Sequence, residues 1–349
     1  MNKKLCLFTL FMAFALVIKC QETFVPYQPE TGPGSASYLY QEVVEINHAQ
    51  EADGYWIYEP AVPVPSEANV VVFIHGYGGY NPMIYGKWIK HLVKKGNIVI
   101  YPRYQKNNLT PRPPHFVNNV VIGIQNALKY LNKKSKIQPL VNHLSFVGHS
   151  YGGVISANLA INYEKYQIPK PQAIMLVSPG SGPFKGGVLD SYKAIPSDVK
   201  MLVMVSDNDR TVGDKLGIRI YETATNVEQR NFIRQYHDSS ISPAQYAGHN
   251  ESYAVDLDFD NGIRNFTAKR ALRIGRVDNV DYFGYWKLFD ALLECTRLGE
   301  YCNYAFGNTL EQSSLGKQSD GTPLRPLEVT VPVKTSKSKQ TILSSKKDK

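Results

Sequence analysis

The sequence predicts an α/β fold, a mostly parallel sheet with helices on both faces. Residues 70–76 read "VVVFIHG", a continuous apolar run of the kind that a strand buried on both faces requires. From there to about residue 237 strand-like and helix-like segments alternate, which implies right-handed crossovers between parallel strands. Between Tyr38 and Gly307 there is neither an internal repeat nor a linker, so one domain of that length is the simplest account.

Each element has its own justification. "YLYQEVVEI" (38–46) and "GYWIYEP" (54–60) read as an antiparallel start, and a Pro-rich stretch leads from them into 70–76. "PMIYGKWIKHLVKKG" (82–96) has helical spacing and ends on Gly96. "NIVIYPRY" (97–104) is a strand and 115–134 a long helix. "HLSFVG" (143–148) is a strand, followed by a helix in "GVISANLAINYEKY". "AIMLVSPG" (173–180) and "KMLVMVSDND" (200–209) are two more strands, with "NFIRQYH" (231–237) expected as the last. An eight-stranded sheet is the expected type.

Both ends of the chain differ from the 349-residue average of 43% hydrophobic and 20% charged residues. Lys3 and Lys4 precede an apolar run over residues 5–18, and Lys19-Cys20 follows. That is the pattern of a signal peptide over 1–20, too short to span a bilayer comfortably. Export is expected, to a secreted or periplasmic location, with a form lipid-anchored at Cys20 as the minority alternative. Residues 21–37 form an N-terminal extension, 308–333 a loop-like C-terminal extension with one short strand candidate, and 334–349 a basic tail expected to be disordered. The leader and tail carry most of the +9 net charge, leaving about +1 for the body. A nucleic-acid groove is therefore not expected.

Of four cysteines, Cys6 and Cys20 fall in the leader. Cys295 and Cys302 remain, and in an oxidising compartment they read as a disulfide. The alternatives are two buried thiols or half a metal site that lacks a partner C-x-x-C.

The chemistry concentrates in "FVGHSYGGV" (146–154). It holds Gly148-His149-Ser150-Tyr151-Gly152 between a strand and a helix, where a serine on a tight turn requires small neighbours two positions either side. A serine nucleophile needs a base and an orienting acid, on loops at the carboxyl ends of later strands. Asp209 follows one such strand in "SDNDRTVG" and His249 the next in "QYAGHNES". Asp207 and His237 are the rivals. The anion formed at an attacked carbonyl needs two preset donors, expected in the N–H groups of Tyr151 and of Tyr77 in "HGYGGY". Those glycines lack the G-x-G-x-x-G or Lys-Ser/Thr of a nucleotide loop. "DLDFDNG" (256–262) lacks the glycine position and glutamate of a calcium loop and reads as an acidic surface loop.

His75-Gly76-Tyr77-Gly78-Gly79, Gly148 to Gly153, Asp209 to Val212 and Gly248-His249, in that order, resemble the α/β-hydrolase superfamily. The resemblance covers roughly residues 38–304 and points to dienelactone-hydrolase, chlorophyllase and cutinase-like serine esterases. It implies an α/β-hydrolase fold and a Ser150–His249–Asp209 triad acting on an ester through an acyl-enzyme, with no metal or organic cofactor. A peptidase or acyltransferase on the same fold is the alternative, and a non-catalytic binding protein a more distant one. The segment after residue 180 is short for a helical lid, so an open cleft is expected for a small or lipid-like ester. Tyr77, Tyr80, His149 and Tyr151 are its expected lining.

Overall fold

The computed structural model describes residues 27–332 except Lys185. The leader of residues 1–20 and the basic tail of 334–349 lie outside the described residues.

Nine strands form one sheet in the order β1-β2-β4-β3-β5-β6-β7-β8-β9. β1 (Glu42–His48) and β2 (Tyr55–Ala61) are an antiparallel pair, and β2 joins β4 (Asn97–Pro102) in the same sense. β3 (Glu67–Ile74), β5 (Gln138–His149), β6 (Ala173–Val177), β7 (Lys200–Ser206) and β8 (Arg230–Gln235) run parallel to one another and to β4. The first strand begins at Glu42 rather than Tyr38, because the amides of Leu39 and Tyr40 both donate to the carbonyl of Lys94. The sheet also exceeds the expected eight strands. β9 (Glu328–Thr330) pairs antiparallel with β8, a three-residue strand in the C-terminal extension where one short strand candidate was expected.

The central strands alternate their apolar side chains between two cores. Val71 and Phe73 enter one, while Val70, Val72 and Ile74 enter the other. The first core is covered by α1 (Gly86–Lys94), whose Trp88, Ile89, Leu92 and Val93 are buried, and by α6 (Lys287–Arg297) with Leu288, Phe289 and Leu292. The second is covered by α2 (Pro113–Lys134), α3 (Tyr151–Asn162) and α4 (Lys215–Thr223). α2 repeats Phe116, Val117, Val120, Val121, Ile124, Ala127, Leu128 and Leu131 on one face, begins at Pro113-Pro114 and ends on Lys133-Lys134. α3 is buried from Tyr151 to Ala160, as a helix apolar on every side must be. α5 (Phe266–Ile274) lies on the first side, and α7 (Cys302–Ala305) and α8 (Leu310–Ser313) follow α6. Cys295 of α6 and Cys302 of α7 form a disulfide. Among the described residues no helix is long and apolar enough to cross a membrane.

A buried carboxylate–imidazole hydrogen bond fastens the segment before β1. Asp290 of α6 accepts from His91 Nε2 at 2.9 Å and from the Gly34 amide at 2.8 Å, leaving His91 Nδ1 for the Tyr38 hydroxyl at 3.2 Å. Gly34 has φ +78, and a Cβ there would run into the Tyr282 carbonyl. Burial pushes the Asp290 carboxyl up, but the His91 ring and Lys95 hold it below its ordinary value. Removing one partner of such a pair leaves a buried polar group without compensation. Asp290→Ala should lower unfolding stability by about 3 kcal/mol. It should also open residues 27–40 to limited proteolysis, and an unchanged denaturation midpoint with an intact N-terminal segment would refute the anchoring role.

Candidate active site

Ser150 sits at the junction of β5 and α3 with φ +55 and ψ −118, a conformation rarely adopted by a residue with a Cβ. Its neighbours explain how the turn closes. A Cβ at Gly148 would run into the carbonyl of Gly152, and one at Gly152 into that of Ile74. Backbone therefore passes directly over backbone at both positions. The Ser150 amide donates to Val177 in β6 at 2.8 Å, and the Ser150 carbonyl accepts from Gly180 at 3.1 Å. Both hydrogen bonds tie the turn to β6 and the segment that follows it.

The hydroxyl of Ser150 lies 2.9 Å from His249 Nε2, and His249 Nδ1 lies 2.6 Å from Asp209 Oδ2. Asp209 follows β7 and His249 follows β8, so three strand ends supply the three side chains. Asp209 Oδ1 is occupied separately, by the amides of Thr211 at 2.8 Å and Val212 at 3.0 Å. Burial pushes this carboxyl up, but the His249 hydrogen bond and charge, then the two amides, hold it below its ordinary value. An ionised Asp209 can only accept, so Nδ1 carries the His249 proton and Nε2 presents its lone pair to Ser150. The rivals Asp207 and His237 are joined otherwise, since the Asp207 carboxylate accepts the His237 amide at 2.9 Å.

Residues 76–79 form a turn closed by Gly79 N–H donating to Gly76 O at 2.9 Å, with Gly78 at φ +78 as a type II turn requires. The turn abuts the serine: a Cβ on Gly76 would lie 3.1 Å from Ser150 Cβ. Around it stands a set of side chains with no local signal in the sequence. Gln105 accepts the Gly78 amide at 2.7 Å, Asn265 donates to Gly78 O at 2.7 Å, and Thr267 donates to Tyr77 O at 3.2 Å. Tyr101 and Tyr104 donate to the carbonyls of Gly79 and His75. Among the described residues the amides of Tyr77 and Tyr151 have no hydrogen-bond acceptor.

The expected lining needs correction. Tyr80 is 4% exposed and Tyr151 and His149 are each 1% exposed, so none of the three presents its ring to an open cleft. The segment after β6 carries no helix, yet it folds across the tyrosines. Tyr151 donates to Gly186 O at 2.6 Å, and Phe184 stacks on Tyr77 at 4.9 Å. Tyr77 alone of the four is partly exposed, and Ser150, at 7%, is recessed. The aspartates of 256–262 are engaged in ion pairs, Asp256 and Asp258 with Lys90 and Asp260 with Arg264.

Behind the base lies a second carboxyl. Glu251 accepts the Gly248 amide at 3.3 Å and is pushed up to about 7, by burial first and then by Asp278. A carboxyl raised in the folded state stabilises the fold below its unfolded value near 4.5, and that contribution is lost as pH rises through about 7. Glu251→Gln keeps an acceptor for Gly248 and removes the titration. Its thermal midpoint should match the parent's at pH 5 and exceed it by a few degrees at pH 8. An equal difference at both pH values would exclude this origin.

Residues 41–205 match the family model for Chlorophyllase. The match takes in the 76–79 turn and Ser150 and ends before Asp209 and His249. No curated protein matches the chain at a significant level. The nine-stranded, mostly parallel sheet with helices on both faces agrees with that match, and the chain has the α/β-hydrolase fold, the fold of the chlorophyllases whose family model it resembles over those residues.

Proposed function

We propose that this hydrolase is an exported serine esterase that works through Ser150, His249 and Asp209. The observation that carries the reading is the continuous hydrogen-bonded chain from Ser150 Oγ through His249 to Asp209 at three strand ends. The Chlorophyllase match supports an esterase-type hydrolase. The pattern of residues 1–20 and the Cys295–Cys302 disulfide support export to an oxidising compartment.

In the proposed cycle Ser150 Oγ attacks the ester carbonyl while His249 Nε2 takes its proton. The imidazolium is stabilised by ionised Asp209, which also keeps the ring turned toward the serine. The tetrahedral oxyanion accepts hydrogen bonds from the Tyr77 and Tyr151 amides, at the positive end of α3. Preset donors of this kind are worth about 10²–10³ in rate each. His249 then protonates the departing alcohol, and water repeats the sequence on the acyl-enzyme. The substrate is a small or lipid-like ester, for which the partly exposed Tyr77 ring and stacked Phe184 offer an apolar surface.

Ser150→Ala should reduce turnover of a short p-nitrophenyl ester by at least about 10³-fold without moving the melting temperature. A fluorophosphonate should label the parent at Ser150 and not the variant. Retained turnover in the variant would overturn the proposal. In a parallel panel of esters and amides, esters should be cleaved preferentially, and a preference for amides would point to a peptidase.

A further inference from the structure

Two buried side chains next to the site take no part in the cycle just described. Tyr85, in the turn before α1, is fully buried, and His149 precedes the serine in the elbow. Their hydrogen bonds connect three segments that are far apart in sequence. The Gly76 amide donates to the Tyr85 hydroxyl at 3.2 Å. That hydroxyl lies 2.8 Å from His149 Nδ1, and His149 Nε2 lies 2.8 Å from the backbone carbonyl of His249.

The direction of every proton in this chain is determined. A carbonyl only accepts, so His149 Nε2 carries the hydrogen that reaches His249 O. In the neutral ring Nδ1 is then bare and accepts from Tyr85, whose oxygen remains free to take the Gly76 N–H. Burial, followed by the neighbouring His249, lowers His149 to about 3, so the ring stays neutral over the ordinary working range. Tyr85 is locked in turn by Phe73 at 5.0 Å and Tyr253 at 5.5 Å, and His149 packs edge-on against the same Tyr253 at 5.7 Å.

We propose that Tyr85 and His149 are positioning residues that hold the oxyanion turn, the serine elbow and the backbone of the base in mutual register through one directed hydrogen-bond chain. Gly76 immediately precedes Tyr77, the proposed oxyanion donor, and His249 is tied to the chain by its main chain rather than its ring. Neither residue exchanges a proton with substrate. Their effect is on distances, and reaction rates fall steeply when reacting groups are displaced by about 1 Å. The inference rests on the esterase reading above.

The test uses the full chain with Tyr85→Phe, His149→Leu and His149→Gln, each normalised to the fraction of protein titrated by a fluorophosphonate. Tyr85→Phe is nearly isosteric and removes only the hydroxyl. It should lower kcat by about 10- to 100-fold and leave KM within about twofold. His149→Leu should lower kcat at least as far, and His149→Gln, which keeps one donor and one acceptor, should recover about tenfold of that loss. Parent-like kcat in Tyr85→Phe and His149→Leu would overturn the proposal. So would a loss confined to KM, or a glutamine variant no better than leucine. A parent protein that neither cleaves esters nor takes the label would remove the esterase reading itself, a result distinct from an active parent with indifferent variants.

Discussion

Close backbone contact around Ser150 is the constraint on which the other features depend. Between β3 and α3 the main chain approaches itself so closely that Gly152 has the carbonyl of Ile74 where a side chain would be. Ser150 itself is held at φ +55, a conformation that costs about 1–3 kcal/mol and persists only where the surroundings over-determine it. Here the surroundings are β5 and β6 on one side, a buried helix on the other, and hydrogen bonds from the serine backbone to Val177 and Gly180. The two apolar cores thus stabilise a local geometry that the turn would not adopt in isolation.

The neighbourhood of His249 contrasts two carboxyls under different rules. Asp209 is buried but surrounded by donors, two amides and a ring nitrogen, and it is held ionised. Glu251 is buried with one amide and the like charge of Asp278, and it is driven toward the protonated form. Burial acts in the same direction on both. Donors and the imidazole charge at Asp209, against a like charge at Glu251, decide the outcome, so that a negative charge is retained at the imidazole and disfavoured close behind it.

Much of the architecture was legible because the parallel strands are buried on both faces and read as unbroken apolar runs, as in 70–76 and 200–206. The glycines flanking Ser150 were legible because a serine on a tight strand-to-helix turn needs small neighbours two positions either side. Elements whose identity depends on distant partners were not. α5 has a short amphipathic sequence with Arg and Lys on its open face, so it is specified by the surface it packs on, while β9 was legible only as a short strand candidate without a partner. Asn265, Thr267, Gln105 and Tyr85, which brace the 76–79 turn, come from separate segments and carry no shared pattern. His149 and Tyr151 were misplaced as cleft lining for a related reason. They adjoin Ser150 in sequence, whereas in the fold they are buried and their polar atoms are satisfied internally by Tyr85, His249 and Gly186.

The small strand β9 has a consequence beyond completing the sheet. Without it β8 would be a border strand, with unpaired amides and carbonyls beside the loop that carries His249. Such a border is a template for pairing with another chain. β9 covers it with only three residues, between Pro326 and Pro332, and is itself too short and too interrupted to recruit a partner. At the opposite border β1 exposes Glu42 and Glu45. Charge at one margin and brevity at the other are both features that disfavour edge-to-edge strand pairing, and the second lies beside the loop of the base.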